Sequence, residues 1–280
     1  MTGRLIVRRD RNNPIGYHHD EVSLELPMKK ISLLLPVAAL LAANVQAALV
    51  LNDSFSYSDG PIVGAPGSPW ATHSGTAGQA NVVSGQLSLT ESESEDVNSA
   101  LSGGPYTVAS GAVLYSSFTV SFSALPSGGG AYFAHFRDTG TGFRARVFTS
   151  TTNAALGSFR FGIGNSSSAT VTSGQIATDL NLNTTYTVVT RYDVASGLST
   201  IWLNPTAETD PSVTASDTPG TIDISSYAFR QSLATGSGMG NLTVDDLRVG
   251  TTFAEVVPEP STIVLLCLGA VGLMSRRLRR

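Results

Sequence analysis

Lysine is missing from the middle of this 280-residue chain. Lys29 and Lys30 are the only lysines; from Ala48 to Val257 the cations are seven arginines (Arg137, Arg144, Arg146, Arg160, Arg191, Arg230 and Arg248) against sixteen Asp and Glu, a formal charge of −9. Nucleic acid and anionic lipid are held by clustered cations, so this balance excludes nucleic acid as a partner of the body. Cysteine is nearly absent as well. Cys267 stands alone, near the C-terminal end, and the body therefore has neither a disulfide nor a thiolate metal centre. Its only histidines are His73 and His135, and neither a G-x-S-x-G elbow nor an H-E-x-x-H pair occurs, which removes the serine hydrolases and zinc proteases built on those motifs. Roughly two hundred residues without covalent staples must hold together by burial, and that length suffices.

Hydrophobic runs are confined to the two ends. "MKKISLLLPVAALLAANVQA", Met28–Ala47, has two lysines, an apolar stretch from Ile31 to Ala43, and small residues Val45 and Ala47 at the spacing a signal peptidase reads. This is the pattern of a secretory signal peptide cut between Ala47 and Ala48. The run is shorter than the ~20 residues of a membrane span. Residues 1–27 show no apolar period and precede the signal; they read as a leader upstream of a start at Met28, outside the mature protein.

At the other end, Ile263–Met274 is uniformly apolar or glycine. As a helix it extends ~18 Å against a hydrocarbon core of ~30 Å. Thr262 and Ser275 lengthen it to a transmembrane segment 262–275. Arg276, Arg277, Arg279 and Arg280 snorkel to headgroups and stay cytoplasmic. Just before it stand Pro258, Glu259 and Pro260, and prolines keep that stretch extended, as a protease substrate must be. Motif, short span and basic end over residues 255–280 resemble a PEP-CTERM sorting signal. The resemblance implies processing by an exosortase near Pro258–Pro260. It also implies a transient stay in the inner membrane through the C-terminal helix, then transfer to the cell surface or extracellular polymer matrix of a Gram-negative-type bacterium.

The body alternates. Phe118, Val120 and Phe122 share one face of a strand; so do Tyr132, Ala134 and Phe136, then Phe143, Ala145 and Val147, then Phe159, Phe161 and Ile163. "TYTVVTRYD" and "STIWLN" flank a hairpin loop at Val194–Gly197, and "NLTVDDLRVG" reads as a late strand. Many short strands divided by Gly and Ser turns predict an all-β sandwich, and the length suits a jelly roll of two antiparallel sheets. "LNDSFSYSDGPIVG", "RYDVASGLSTIWLNP" and "VDDLRVGTTFAEV" resemble bacterial laminin-G-like domains of the concanavalin A-like class, over residues 48–254. That resemblance implies adjacent first and last strands. It implies no activity, since the fold hosts lectins, glycosidases and adhesive modules alike.

Candidate chemistry is sparse. Glu91, Glu93 and Glu95 in "ESESED" would line one face of a strand about 7 Å apart, a spacing within reach of glycoside hydrolysis. The intervening Ser92 and Ser94 leave no apolar face, which suits a solvated loop better. Calcium takes oxygen ligands from loops, and Asp53 and Asp59 near the first strand with Asp245 and Asp246 on the last are the residues expected to hold it. Trp202, Tyr192 and Tyr132 are aromatic candidates for stacking on sugar rings, against which Trp202, flanked by Ile201 and Leu203, reads more readily as a residue that fills a core. Arg144, Arg146 and Arg191, on faces opposite their apolar neighbours, are candidates for binding hydroxyls or carboxylates of an extracellular polysaccharide. His135, between Phe133 and Arg137, reads as half-buried and structural.

These readings converge on an exported surface or matrix protein with a non-catalytic, lectin-like sandwich. A purely structural matrix protein and a secreted glycoside hydrolase are the alternatives. Replacing Pro258, Glu259 and Pro260 by alanine should leave export intact and hold the body on the inner membrane. Fractionation with an internal epitope tag reads the outcome, and a triple-alanine variant that reaches the surface with its tail removed refutes the assignment.

Overall fold

A computed structural model describes residues 49–231 and 236–257. The chain divides into two units, Met1–Asn44 and Val45–Arg280, and every described residue belongs to the second. The leader at 1–27, the signal peptide with its Ala47–Ala48 junction, the Pro258–Glu259–Pro260 motif and the segment 262–275 lie outside the described residues. Among those that are described, no helix is long and apolar enough to cross a membrane.

The chain lays down short strands in succession: β1 Leu51–Asp53, β2 Gly60–Pro61, β3 Ala71–Ser74, β4 Asn81–Val83, β5 Gln86–Leu89 and β6 Asp96–Ala100. Longer ones follow: β7 Val113–Ala124, β8 Ala131–Arg137, β9 Phe143–Ser150, β10 Arg160–Gly164 and β11 Thr185–Asp193. Then come β12 Ser199–Leu203, β13 Ser212–Thr214, β14 Ser226–Arg230, β15 Asn241–Gly250 and one helical turn, α1 Phe253–Val256. They form two sheets. The nine-stranded sheet runs β13-β12-β11-β7-β15-β5-β4-β2, with β1 also on β15; the six-stranded sheet runs β10-β9-β8-β14-β6-β3. Pairing is antiparallel throughout, and β1 lies on β15 with Leu51 opposite Val249. The all-β sandwich of two antiparallel sheets is therefore the fold, with first and last strands adjacent.

Aromatic side chains fill the space between the sheets. Phe118 and Phe122 descend from β7, and Phe133, Phe136, Phe161, Tyr227 and Phe229 rise from β8, β10 and β14; all are buried. Their rings meet edge-on or tilted, the arrangement favoured by ring quadrupoles: Phe118 and Phe229 at 5.7 Å, Phe136 and Tyr227 at 5.1 Å, Phe122 and Phe159 at 4.5 Å. Alternation predicted the inward set on β7 and β10 correctly.

On β8 and β9 it held for Ala134, Phe136, Ala145 and Val147, which are in the core, and failed for Tyr132 and Phe143. The ladder between them slips between Tyr132 and Ala134 and again between Ala134 and Phe136, and Ala145 adopts φ 47°. Each bulge adds a residue and reverses the side that follows. Ala134 and Phe136 face the core as expected, but Tyr132 and Phe143 turn to the opposite face.

A second, smaller apolar cluster lies on the outer face of the nine-stranded sheet. Tyr115, Val189 and Trp202 are covered there by Phe253 and Val256 of α1, with Leu49 and Val257 against them. The Glu255 carboxylate ties the turn down, accepting from the Thr251 and Thr252 amides at 2.6 and 3.2 Å. Both ends of the body thus finish in one patch.

Phe229 touches Phe55, Trp70, Phe118 and Tyr227. Phe229→Ala should lower the unfolding free energy by about 3–5 kcal/mol, whereas Leu156→Ser, at a fully exposed position, should change it by less than about 0.5 kcal/mol. Urea denaturation of both variants checks this.

Candidate ligand-binding face

Because the core claims one side of each strand in the six-stranded sheet, the other side must carry what the core refuses. Register places His135 opposite Ala228, Ala228 opposite Asn98, and Asn98 opposite Ala71, in one row across four strands. Arg230 and Asp96 pair in the neighbouring row. Arg137 sits opposite Ser226, and Arg146 projects from β9 beside Phe148. The bulges add Tyr132 and Phe143. The outer face of this sheet thereby gathers three arginines, two histidines, three aromatics and one carboxylate.

The rings interlock. Phe143 lies 4.4 Å from His135, Tyr132 lies 5.5 Å from it, and His73 lies 6.3 Å from it. Tyr132 receives two guanidiniums, Arg230 at 4.4 Å and Arg146 at 4.9 Å from its ring centre. Such contacts contribute about 0.5–2 kcal/mol each, more as water is excluded. Arg230 donates to the Tyr132 carbonyl at 3.3 Å. Arg146 donates to the carbonyls of Ser166 and Ala169, holding down the loop that covers β9 and β10.

His135 is wholly buried, Arg146 nearly so, and His73, Asn98, Tyr132, Arg137, Phe143 and Arg230 are half-buried around them. Neither ring nitrogen of His135 meets a hydrogen-bond partner among the described residues; nor do the Nε atoms of Arg137 and Arg146. Asn98 lies close enough to His73 to favour its charged form, though not in hydrogen-bond geometry. The ion pairs among the described residues are Arg160–Asp179 and Arg191–Asp193, so Arg137, Arg146 and Arg230 have none.

Electrostatics follow from this crowding. Burial, then the nearby Arg137, pushes His73 down to about 4. Burial, then His73, Arg230, Arg146 and Arg137, holds His135 well below the usual imidazole range. Burial lifts Asp96 to about 6, although Arg230 and the Gln231 amide pull it down.

The other residues singled out from the sequence are dispersed. Trp202 is buried under α1, its Nε1 donating to the Glu208 carbonyl at 3.2 Å, and Tyr192 is buried in the main core with its hydroxyl on the Gly220 carbonyl. Neither presents a ring to solvent, and the expectation that they stack on a sugar is corrected by their burial. Arg144 spends its guanidinium on the Gly220 and Phe143 carbonyls. Arg191 belongs to the other sheet and pairs with Asp193 at 3.5 Å. Of that trio only Arg146 reaches the face described above.

The calcium expectation is corrected too. β1 and β15 do pair, but Asp53 is buried and accepts from the Phe55 amide, the Tyr57 hydroxyl and the Trp70 indole at 2.7, 2.9 and 2.6 Å. Three donors occupy the lone pairs a cation needs. Asp59 caps the Ser84 amide and Asp245 the Asp246 amide. Among the described residues no group of three or more His, Cys, Asp or Glu is arranged to hold a metal.

Glu91 and Glu95 are no catalytic pair either. Glu91 accepts from the Ser127 and Gly240 amides, and Glu95, wholly buried, accepts from Thr72 and from the Gln79 and Ala80 amides. Glu91 braces the β7–β8 connection and the entry to β15, and Glu95 braces the segment ahead of β4.

The residues that sequence reasoning passed over are Arg137, Arg230, His73, Asn98 and Phe143. "SYAFR" carries the signal for Arg230, since Tyr227 and Phe229 face inward. Phe143 was hidden by the bulge.

A histidine with a folded pKa below its unfolded value, near 6.5, loses stability as pH falls below 6.5. Asp96, raised in the folded state, acts in the opposite sense between its unfolded value near 3.8 and about 6. Two histidines outweigh one carboxylate, so the melting temperature should fall steadily from pH 7 to pH 5. His135→Phe should flatten that fall, which a pH series of thermal melts will show.

A family model described as the PEP-CTERM protein-sorting motif matches residues 256–280; the chain carries this sorting motif. No curated protein matches the sequence. Among solved structures the chain is similar to a carbohydrate esterase of the Shiga toxin-encoding bacteriophage phi24B, at 13% identity over 72% of this chain and 97% of that one, TM-score 0.46. It is also similar to lectin II from Ulex europaeus, at 16% identity over 72% and 98%, TM-score 0.43. A third is a GH43 glycoside hydrolase, at 11% identity over 73% of this chain, TM-score 0.43; there this chain spans 41% of the enzyme. These likenesses concern the fold and not an activity.

Proposed function

We propose that the protein is exported, sorted to the cell surface or extracellular matrix, and binds carbohydrate there without catalysis. The C-terminal motif supports the destination. Exosortase and signal peptidase are the processing partners this reading requires, and a transient membrane stage through 262–275 belongs to it. The observation that carries the binding role is the outer face of the six-stranded sheet. Tyr132 and Phe143 offer half-exposed rings, and Arg137, Arg230, His73 and Asn98 surround them with donors. Aromatic platforms edged by planar donors suit a pyranose, whose apolar face stacks while its hydroxyls bond. Among the described residues of this face Asp96 is the single acid, so the face pairs no two carboxylates at a hydrolytic spacing.

The full chain, produced with its signal peptide and purified from the surface fraction, should bind polysaccharide on a glycan array. Tyr132→Ala should weaken that binding by about tenfold or more while the protein stays folded by circular dichroism. Absence of binding to any glycan, or hydrolysis of the glycan bound, overturns the reading.

A further inference from the structure

A body carrying sixteen carboxylates and seven arginines would be expected to neutralise its few cations locally. It does so for Arg160 and Arg191. On the outer face of the six-stranded sheet it does the reverse. Arg137, Arg146 and Arg230 converge with His73 and His135, and none of the three forms an ion pair among the described residues; the carboxylates that act on them, Asp96 on Arg230 and Asp217 on Arg146, do so at longer range. The cations are also partly removed from water, with buried Nε atoms on Arg137 and Arg146 that bond to nothing described. A partly desolvated cation with no ion-pair partner is unfavourable, and a surface that gathers several such groups is a candidate for binding a ligand of the opposite charge.

We infer that this face binds an anionic polysaccharide through the carboxylate of its uronic-acid units. This rests on the carbohydrate reading above and narrows it. The geometry favours a carboxylate attached to a sugar ring over a denser polyanion. Arg137 and Arg230 are half-buried residues whose guanidinium Nη groups can donate to a carboxylate. Tyr132 carries the Arg230 and Arg146 guanidiniums over its ring at 4.4 and 4.9 Å and so fixes those cations where the sugar that bears the carboxylate would lie. His135, beneath the cluster, stays neutral. Its role is to fill the floor with polar atoms rather than a further fixed charge. Arg146, already committed to the Ser166 and Ala169 carbonyls, positions Tyr132 and adds field.

The test is titration calorimetry of the processed full-length protein with an oligogalacturonate and with the same oligomer after its carboxyls are reduced to alcohols. The acidic oligomer should bind and the reduced one should bind at least about tenfold more weakly, the worth of a charge-assisted hydrogen bond. Arg137→Gln and Arg230→Gln should each lose about tenfold for the acidic oligomer with little change for the reduced one. Arg137→Lys should recover part of the loss, and Arg191→Gln, on the other sheet, should change nothing. Thermal melts confirm that each variant is folded; should Arg230→Gln fail to fold, Arg137→Gln carries the test. Equal binding of both oligomers, or acidic binding untouched by Arg137→Gln, overturns the inference while leaving the carbohydrate reading in place. Preference for a sulfated oligosaccharide of the same length overturns the carboxylate assignment. No binding to any of these, together with an empty glycan array, overturns both.

Discussion

Everything in this molecule hangs on the aromatic seam between its two sheets. Without a disulfide or a metal centre among the described residues, cohesion comes from removing rings such as Phe118, Phe122, Phe133, Phe136, Tyr227 and Phe229 from water. Each buried ring contributes roughly 1.5–3 kcal/mol by area and somewhat more through edge-to-face contact. The seam sets the pitch of every strand that crosses it. Once Phe229 and Tyr227 are committed inward, Ala228 and Arg230 have no choice of side. The outer faces are therefore consequences of the core, and the two differ in what covers them. Trp202 and Tyr115 on the nine-stranded sheet lie under α1, an apolar solution. The six-stranded sheet ends in arginine, histidine and tyrosine, a polar one.

The fold was legible because most of its strands obey period two without interruption. β7, β10, β11 and β12 were readable from alternation, and the hairpin around Val194–Gly197 from its glycine. The candidate site was much less legible, for a specific reason. It depends on two bulged strands, β8 and β9, where alternation breaks. "AYFAHFR" reads by period two as Tyr132, Ala134 and Phe136 on one side, whereas the bulges leave Tyr132 with His135. "FRARV" suffers likewise at Ala145, whose positive φ no local residue preference announces. Trp202 shows a different limit. Its apolar neighbours Ile201 and Leu203 point to burial, but only the return of the chain at α1 reveals what covers it. The aspartates illustrate a third. Asp53 has the composition of a calcium ligand, but its lone pairs belong to Phe55, Tyr57 and Trp70, a long-range commitment that no spacing rule contains.

Charge is distributed against the demands of stability. A structural arginine is usually brought to a carboxylate or to solvent, and Arg160 and Arg191 follow that habit. Arg146 has a structural account, since its Nη2 fastens the loop at Ser166 and Ala169. Arg137 and Arg230 have none of comparable strength: one carbonyl contact at 3.3 Å for Arg230, and a buried unpaired Nε for Arg137. Burial first, then Arg137 for His73 and the neighbouring His73 and arginines for His135, holds both imidazoles down. Strained electrostatics of this kind fall where a fold is asked to meet something other than itself.

The ends of the body place that face in context. β1 pairs with β15, so Leu49 and Val257 pack into the same patch as Trp202 and Phe253. The sorting motif begins at residue 256, yet Val256 is 1% exposed and part of that patch. Two residues, Val256 and Val257, therefore belong both to the folded patch and to the matched motif, and Pro258 is the next residue in sequence. The patch that receives both ends lies on the outer face of the nine-stranded sheet, and the arginine cluster lies on the outer face of the six-stranded sheet. A sandwich separates the two faces by its full thickness, so the apolar patch that receives both ends of the described body and the arginine cluster occupy different surfaces.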